Sequence, residues 1–150
     1  MSVYIKTVSV VLLWIASFAL HATEAYVVKK SSYSVDETLN RLEVVLKKKG
    51  ITVFARVNHT AGADKVGLKM QPTQLLIFGN PKMGTPLMNE NRLMGLDLPM
   101  KALAWKDEAS QVWLGYLNPV ELQSRHGIKN QAIINKMKKA LNGLTDKALK

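Results

Sequence analysis

The 150-residue chain has 21 Lys and Arg against 11 Asp and Glu, for a net charge of +10, and 47% of its residues are hydrophobic. This length supports one ordinary domain, and this composition excludes a disordered, collagenous or low-complexity chain. The sequence contains no cysteine, which excludes disulfide bonds, thiolate metal sites and cysteine nucleophiles.

Residues 1–25 have the plan of a secretory signal peptide. Lys6 precedes an uncharged apolar run from Thr7 to Leu20, which is shorter than the roughly 20 residues that a membrane-spanning helix needs. Small residues predict cleavage after Ala25, slightly preferred, or after Ala22. The alternative is an uncleaved membrane anchor.

Export would place the mature domain, residues 26–150, in the periplasm or outside the cell. Lys6 and Glu24 would be lost together, so the charge would stay at +10. Because nucleic acid is rarely available there, we expect none as a partner. Anionic envelope surfaces, acidic proteins and small anions are available there instead. The partners we consider are therefore a small organic or anionic ligand and peripheral contact with an anionic envelope surface, although the basic charge does not choose between them.

The mature chain begins with a predicted strand and a well-marked helix. Tyr26–Ser32 is rich in β-formers, which predicts the first strand. Ser34 and Glu37 form a capping box, and Gly50 is a suitable stop for the helix that follows. Four apolar residues at helical spacing give that helix one buried stripe: Val35, Leu39, Leu42 and Leu46.

Alternation and apolar runs predict further strands. Residues 51–57 alternate apolar with polar, and Gln74–Gly79 is a continuous apolar run. Met100–Lys106 and Gln111–Leu117 predict a hairpin that brings Trp105 and Trp113 into cross-strand contact.

Two connections are predicted to be largely irregular. His59–Val66 is polar and contains glycine, which favours a loop with one helical turn. Asn80–Pro99 is long for a loop in a compact domain, so it should be functional or contain a helix, for which Met88–Met94 is the candidate.

Two helices are predicted to close the chain. Asn118 caps the first, which Gly127 ends, and Asn130 begins the second. The second has an apolar stripe made of Ile134, Met137, Leu141 and Leu144. The order of elements predicts an α+β fold, with an antiparallel sheet of about five strands and helices on one face. The other face is left for a dimer partner, a ligand or a groove.

Several segments together resemble the domain of unknown function 302 family over essentially all of the mature chain. They are Asn58–Ala63 (NHTAGA), Pro72–Met88 (PTQLLIFGNPKMGTPLM), Leu96–Trp105 (LDLPMKALAW), Tyr116–Pro119 (YLNP) and Arg125–Gly127 (RHG). This chain has Asn58 where the family often has Asp before its first histidine. The resemblance implies a fold similar to the TATA-box-binding-protein class, with strand–helix–four strands–helix order. It implies no established activity and no DNA binding.

Four candidate site residues lie at predicted element ends: His59, Lys65, Asp97 and His126. The histidines and the carboxylate are suited to proton transfer near neutral pH. Their spacing matches no metal motif, so no metal or cofactor is predicted. Each also has a structural alternative, since Asp97 can cap a turn and His126 can bond carbonyls at a helix end.

The turn from Gly79 to Pro86 is a candidate anion site. Backbone amides beside Asn80, Lys82 and Thr85 could hold an anion, although the ending of a nucleotide-binding phosphate loop is missing. The alternative is a strand-to-helix connection in which Gly and Pro serve backbone geometry alone.

Two further chemistries are disfavoured. Four methionines suggest Cu(I) binding, but their spacing does not put neighbouring thioethers on one helix face: Met83, Met88, Met94 and Met100. Serine hydrolase chemistry lacks a nucleophile-elbow motif.

We therefore expect a non-enzymatic module that binds a small ligand or anion. Its ligand would lie between the Asn80–Pro99 segment and the ends of the chain that carry His59 and His126. One alternative is an enzyme that uses His59 or His126 for proton transfer, assisted by Lys65 or Asp97. Another is an assembly protein, such as a homodimer, that acts through the uncovered sheet face.

Overall fold

The structure is a computed structural model that describes residues 25–150. The predicted signal peptide and the alternative membrane anchor, both assigned to residues 1–25, therefore lie outside the described residues, apart from Ala25. Within the described range, none of the helices has the length and apolar character needed to cross a membrane.

Five strands and six helices make up the described part of the chain. The strands are β1 (Tyr26–Ser31), β2 (Thr52–Asn58), β3 (Thr73–Gly79), β4 (Met100–Lys106) and β5 (Val112–Leu117). The helices are α1 (Val35–Lys48), α2 (His59–Lys65), α3 (Pro81–Glu90), α4 (Met94–Asp97), α5 (Pro119–His126) and α6 (Gln131–Leu149).

The strands form one open sheet in the order β1–β5–β4–β3–β2, in which every neighbouring pair is antiparallel. Trp105 of β4 pairs directly with Trp113 of β5, as the hairpin pattern predicts. The predicted α+β class and sheet of about five strands are confirmed.

Helices α1 and α6 cover one face of the sheet and build the core. The Ser34 hydroxyl caps α1 by accepting a hydrogen bond from the Glu37 N–H at 3.1 Å, and Gly50 follows the helix with φ of +65°. The predicted stripes of both helices are buried. They pack on every second side chain of the inner strands, namely Leu76, Phe78, Ala102, Ala104, Leu114 and Tyr116.

A polar contact fastens the edge strand β1 to α6. The Lys29 ammonium group donates to the side-chain oxygens of Asn142 and Thr145, each at 2.8 Å, and of Asp146 at 2.6 Å. Its side chain is only 17% exposed. The aliphatic part of this lysine is therefore covered while its charge is compensated.

A bulge in β2 corrects the simple alternation predicted for residues 51–57. The register shifts between Val53, which pairs with Phe78, and Ala55, which pairs with Ile77. Because one extra residue reverses the facing of all later side chains, Arg56 points under α1. There its guanidinium contacts Asp36 at 3.2 Å and Glu43 at 3.4 Å.

The two connections predicted to be largely irregular are more helical than expected. Residues 59–65 form α2, capped by the Asn58 side chain, which accepts from the Ala61 N–H at 2.9 Å. The prediction of a helix at Met88–Met94 is wrong in its bounds, because α3 begins at Pro81 and ends at Glu90. Asn80 caps α3 and Pro81 occupies its first turn, which outweighs the helix-breaking tendency of Pro86 inside it.

In the part of the chain that the structure describes, no helix layer lies over the centre of the second face of the sheet. Side chains that alternate with the core positions lie on this open face, including Leu75, Leu103, Trp105 and Leu117. The edge residues Tyr26 and Val28 are 53% and 47% exposed. Such a contiguous apolar surface favours a binding role.

Candidate functional site

A cavity of about 770 Å³ lies over the open face of the sheet. This volume is within the range of small-molecule sites. Its floor is mostly apolar and comes from four strands, through Tyr26, Val28, Leu75, Leu103, Trp105, Gly115 and Leu117. We refer to it as the open-face cavity.

Trp105 and Gly115 together shape the floor of the open-face cavity. A Cβ atom at position 115 would lie 3.0 Å from Cζ3 and 3.3 Å from Cη2 of Trp105. The indole therefore leans from β4 across β5 and occupies the space that any side chain at position 115 would need. Glycine at this position is what lets the ring lie over the neighbouring strand.

One end of the open-face cavity carries charge. It is lined by Asp97 at the end of α4, Lys101 on β4 and Arg125 near the end of α5. The Arg125 guanidinium lies 3.2 Å from Oδ1 of Asp97. The Lys101 ammonium group donates to the backbone carbonyl of Asp97 at 2.8 Å, and within residues 25–150 it forms no ion pair with a carboxylate.

The second oxygen of Asp97 is engaged by His126. Nε2 of His126 lies 2.7 Å from Oδ2 of Asp97, and the histidine side chain is 10% exposed. This hydrogen bond is the main cause that holds the pKa of Asp97 below its ordinary value, and Arg125 and Lys101 lower it further while burial opposes them. Asp97 is therefore a stable carboxylate, and the charged end keeps an excess of positive charge from Lys101 and Arg125.

The structure thus brings together two of the four predicted site residues, Asp97 and His126. The two come from separate helix ends, α4 and α5, and meet because α4 and α5 pack against each other. His126 does not itself line the open-face cavity, whereas Asp97 does. The ring therefore positions the carboxylate rather than facing the cavity.

His59 and Lys65 lie elsewhere. Asn58, the residue before His59, pairs with Gln74, whereas Asp97 lies beyond the other end of β3, near the pair Phe78 and Met100. Both His59 and Lys65 are exposed on α2. The ends of the chain that carry His59 and His126 therefore lie apart in this fold. They do not form the single ligand position that was expected between them.

The predicted anion turn is the capped start of α3. The Asn80 side chain accepts from the Lys82 N–H at 3.0 Å, and the Asn80 carbonyl accepts from the N–H groups of Met83 and Gly84. Lys82 and Thr85 are exposed. The amides proposed for an anion are therefore used within the helix, as in the strand-to-helix alternative.

A second, smaller cavity of about 220 Å³ lies beside α3. Met83, Met88 and Met100 line it together with Met137 of α6, while Met94 is fully buried in the core. The sequence spacing of the four methionines keeps neighbouring thioethers off one helix face, but tertiary packing brings three of the four together. No charged residue lines this cavity. Among the described residues, no group of three or more His, Asp and Glu is placed to hold a metal ion.

Three residues that line the open-face cavity were not among the site candidates predicted from the sequence: Lys101, Trp105 and Arg125. A signal was present on β4, where Lys101, Leu103 and Trp105 alternate with the buried Ala102 and Ala104. A cation and an aromatic ring on the uncovered face of a central strand favour a ligand surface. Arg125 carried no comparable signal beyond its place beside His126.

Comparison with known proteins identifies the family. The model of the domain of unknown function DUF302 matches residues 27–144. The chain belongs to this family. A crystal structure of an uncharacterized conserved DUF302 protein from Bacillus stearothermophilus has 25% sequence identity to it and a TM-score of 0.75. That likeness covers 83% of this chain and 98% of the other, which agrees with the resemblance inferred from the motifs.

The chain is also similar to curated proteins from Brucella, among them one from Brucella suis and one from Brucella abortus. The DUF302 chain is 48% identical over 99 residues to the fluoride-specific ion channel FluC 1 of Brucella suis biovar 1 (strain 1330), a match covering 66% of this chain and 39% of that protein. The same identity and length apply to fluoride-specific ion channel FluC 1 of Brucella abortus biovar 1 (strain 9-941), of which 37% is covered. The chain thus spans less than two fifths of these relatives.

Proposed function

We propose that this DUF302 chain is a non-enzymatic binding module that holds a small amphipathic anion in the open-face cavity. The observation that carries the proposal is the combination of an apolar floor with a charged end that has two cations, Lys101 and Arg125, and one carboxylate, Asp97. An apolar body would lie on the floor, and its acidic group would point to that end.

The charge balance favours an anion over a cation. Both oxygens of Asp97 are already engaged, one by Arg125 and one by His126, so the negative charge of Asp97 is compensated from two sides. Lys101 retains donors beyond its bond to the Asp97 carbonyl, because an ammonium group has three. A carboxylate or phosphate ester entering this end would therefore gain a direct cationic partner.

The apolar floor favours a ligand with a hydrocarbon or aromatic body rather than an inorganic ion. Burial of apolar surface contributes about 25 cal/mol per Å², and most lining residues of this cavity are apolar. A monatomic anion would leave the floor uncovered. The name of the Brucella relatives is therefore a reason to include fluoride as a probe, and we expect no saturable fluoride binding by this chain.

Calorimetric titration of the full chain tests the proposal. We expect octanoate to bind and 1-octanol to bind at least about fivefold more weakly, because a partly exposed charge contact contributes about 1 kcal/mol. Lys101→Gln should remove this preference, while Lys106→Gln on the same strand, outside the lining of the cavity, should retain it. Equal binding of acid and alcohol, no binding of either, or binding of fluoride alone would overturn the proposal.

We also propose that the protein acts after export, in the periplasm or outside the cell. The support is the charge and apolar pattern of residues 1–25 together with the basic mature domain. Peripheral contact with an anionic envelope surface is compatible with this charge. Fractionation of the native host that finds the protein in the cytosol at full length would contradict the proposal.

A second candidate function is proton transfer by His126, which its 2.7 Å contact with Asp97 favours. The position of the ring outside the cavity lining makes it the weaker candidate. An enzyme should lose all turnover when one histidine is replaced, whereas a binding module should lose affinity gradually across several cavity residues. The assembly alternative instead requires a stable dimer through the open face, which sedimentation of the full chain would reveal.

A further inference from the structure

The Trp105 ring is placed as a platform for a planar group. Cζ3 and Cη2 of its six-membered ring lie 3.0 and 3.3 Å from the place that a Cβ of residue 115 would occupy on the neighbouring strand. Val28 of β1 borders the same place, 3.5 Å from that Cβ position. The ring thus rests on β5 where that strand has no side chain, and Trp105 lines the open-face cavity.

The neighbouring tryptophan is held differently and does not line the cavity. Nε1 of Trp113 donates to Asp107 at 2.7 Å, and the Lys30 ammonium group lies 5.5 Å from its ring centroid. Trp105 makes no hydrogen bond or cation contact of this kind within residues 25–150. Of the two tryptophans in this hairpin, Trp105 is therefore the one that is available to contact a ligand.

The distance between the ring and the charged end sets the length of a ligand. Trp105, Leu103 and Lys101 occupy alternate positions of β4 and therefore lie on one face of the strand. Four residues of strand separate the Cα atoms of Trp105 and Lys101 by about 13 Å, and the ring lies nearer to Lys101 than this, because it leans over Gly115, which pairs with Leu103. Leu103 lies between them and supplies an apolar path.

We infer that the ligand class is an elongated aromatic acid, with a planar ring stacked on Trp105 and an anionic group at Lys101 and Arg125. This inference rests on the proposed function and narrows it. Stacking of aromatic groups contributes beyond the burial of area, so the protein should distinguish a planar ring from a saturated ring of similar size. Gly115 is then a specificity-determining residue, because its lack of a side chain keeps the platform in place.

The test compares two acids of matched length, 6-phenylhexanoate and 6-cyclohexylhexanoate, by calorimetric titration of the full chain. We expect the phenyl compound to bind about fivefold more tightly, since aromatic contacts contribute about 1 kcal/mol beyond area. In Gly115→Ala the new methyl group would meet the indole at 3.0 Å, and the ring would have to move. That variant should bind both acids alike.

A second variant and a control separate platform loss from general damage. Trp105→Leu keeps an apolar floor without the ring, and it too should lose the preference while still binding both acids through Lys101. Gly62→Ala adds a methyl group where no atom lies within 4 Å and should keep the preference. Thermal unfolding of each variant confirms that the binding is measured on folded protein.

The outcomes distinguish this inference from the proposed function. If both acids bind the native protein alike and Lys101→Gln weakens both, the proposed function stands and the aromatic inference is overturned. A phenyl preference that survives Trp105→Leu would also overturn it. If neither acid binds, the proposed function itself fails and the inference fails with it.

Discussion

The His126 ring and the Asp97 carboxylate, joined by a 2.7 Å contact, tie the end of α5 to the end of α4. The same carboxylate bonds Arg125, the residue before the histidine, at 3.2 Å. Asp97 is therefore held from two sides at the rim of the open-face cavity. This arrangement fixes the place of the positive charge that we propose to bind the ligand.

Because Asp97 contacts His126, the free energy of unfolding should decrease at acid pH. The pKa of Asp97 is lowered from its ordinary value of 3.8, first by the hydrogen bond to His126. A carboxyl group whose pKa is lowered by folding stabilises the folded state above its unfolded pKa, and this contribution is lost as pH falls through the folded pKa. We expect Asp97→Asn to lower the free energy of unfolding by about 1 kcal/mol near pH 6.

Urea unfolding of both proteins at a series of pH values measures this effect. The difference between native protein and Asp97→Asn should shrink as the pH falls below 3.8, where the unfolded carboxyl becomes protonated, and should vanish below the lowered pKa of Asp97 in the folded state, where the native carboxyl is neutral as well. Asp64→Asn on α2 is the matched control, since Asp64 is exposed and has no cation within ion-pair distance among residues 25–150. A constant Asp97→Asn difference over the whole range would show that the carboxylate contact does not stabilise the fold.

The buried residues of α1 should contribute more to the free energy of unfolding than the exposed residues of the same helix. Leu42 is fully buried against the sheet, whereas Val44 on the same helix is 50% exposed. Leu42→Ala should reduce the free energy of unfolding by about 2–5 kcal/mol through lost burial and a cavity, and Val44→Ala by about 0.5 kcal/mol or less. Chemical denaturation compares the two, and similar effects would contradict the assigned helix face.

Two glycines should respond in opposite directions to the same substitution. Gly127 ends α5 with φ of +62°, while Gly143 lies inside α6, and neither has another atom within 4 Å of an added Cβ. Gly127→Ala should destabilise the protein by about 1 kcal/mol because alanine disfavours positive φ. Gly143→Ala should stabilise it by about 0.5–1 kcal/mol through helix propensity. Melting temperatures that move in the same direction would refute this account of the two backbones.

The edge of the sheet should distinguish the products of the two predicted signal-peptide cleavage sites. The Ala25 carbonyl accepts a hydrogen bond from the Asn118 N–H at 2.9 Å, which extends the pairing of β1 with β5. Cleavage after Ala22 keeps this bond, whereas cleavage after Ala25 removes its acceptor. A chain that begins at Thr23 should therefore have a free energy of unfolding about 1 kcal/mol higher than a chain that begins at Tyr26. Urea unfolding of the two chains measures the difference, and equal stability would contradict a role for this bond.

Local signals explain what the sequence predicted well. The helix α1 carries its own cap, stripe and stop at Ser34, Leu39 and Gly50, and the structure shows all three. The hairpin of β4 and β5 was equally well marked by its alternating residues and its tryptophan pair. In each case the determining interactions lie within a few residues along the chain.

Tertiary interactions explain what could not be predicted. Asp97 and His126 were both candidates, but their contact joins residues 29 positions apart and depends on the packing of α4 with α5. No local sequence signal predicts the bulge at residues 53–55. This bulge places Arg56 under α1. The position of Lys101 on the open face could not be predicted, because it depends on the helices covering the opposite face of β4.

The most direct test of the central claim is a two-dimensional ¹H–¹⁵N NMR titration of the full chain with octanoate. The account predicts saturable shifts in the amides that line the open-face cavity, such as Leu103, Gly115 and Leu117, with Leu141 on α6 unchanged. Shifts confined to the helix-covered face or to the methionine-lined cavity, or no shifts at all, would contradict binding on the open face.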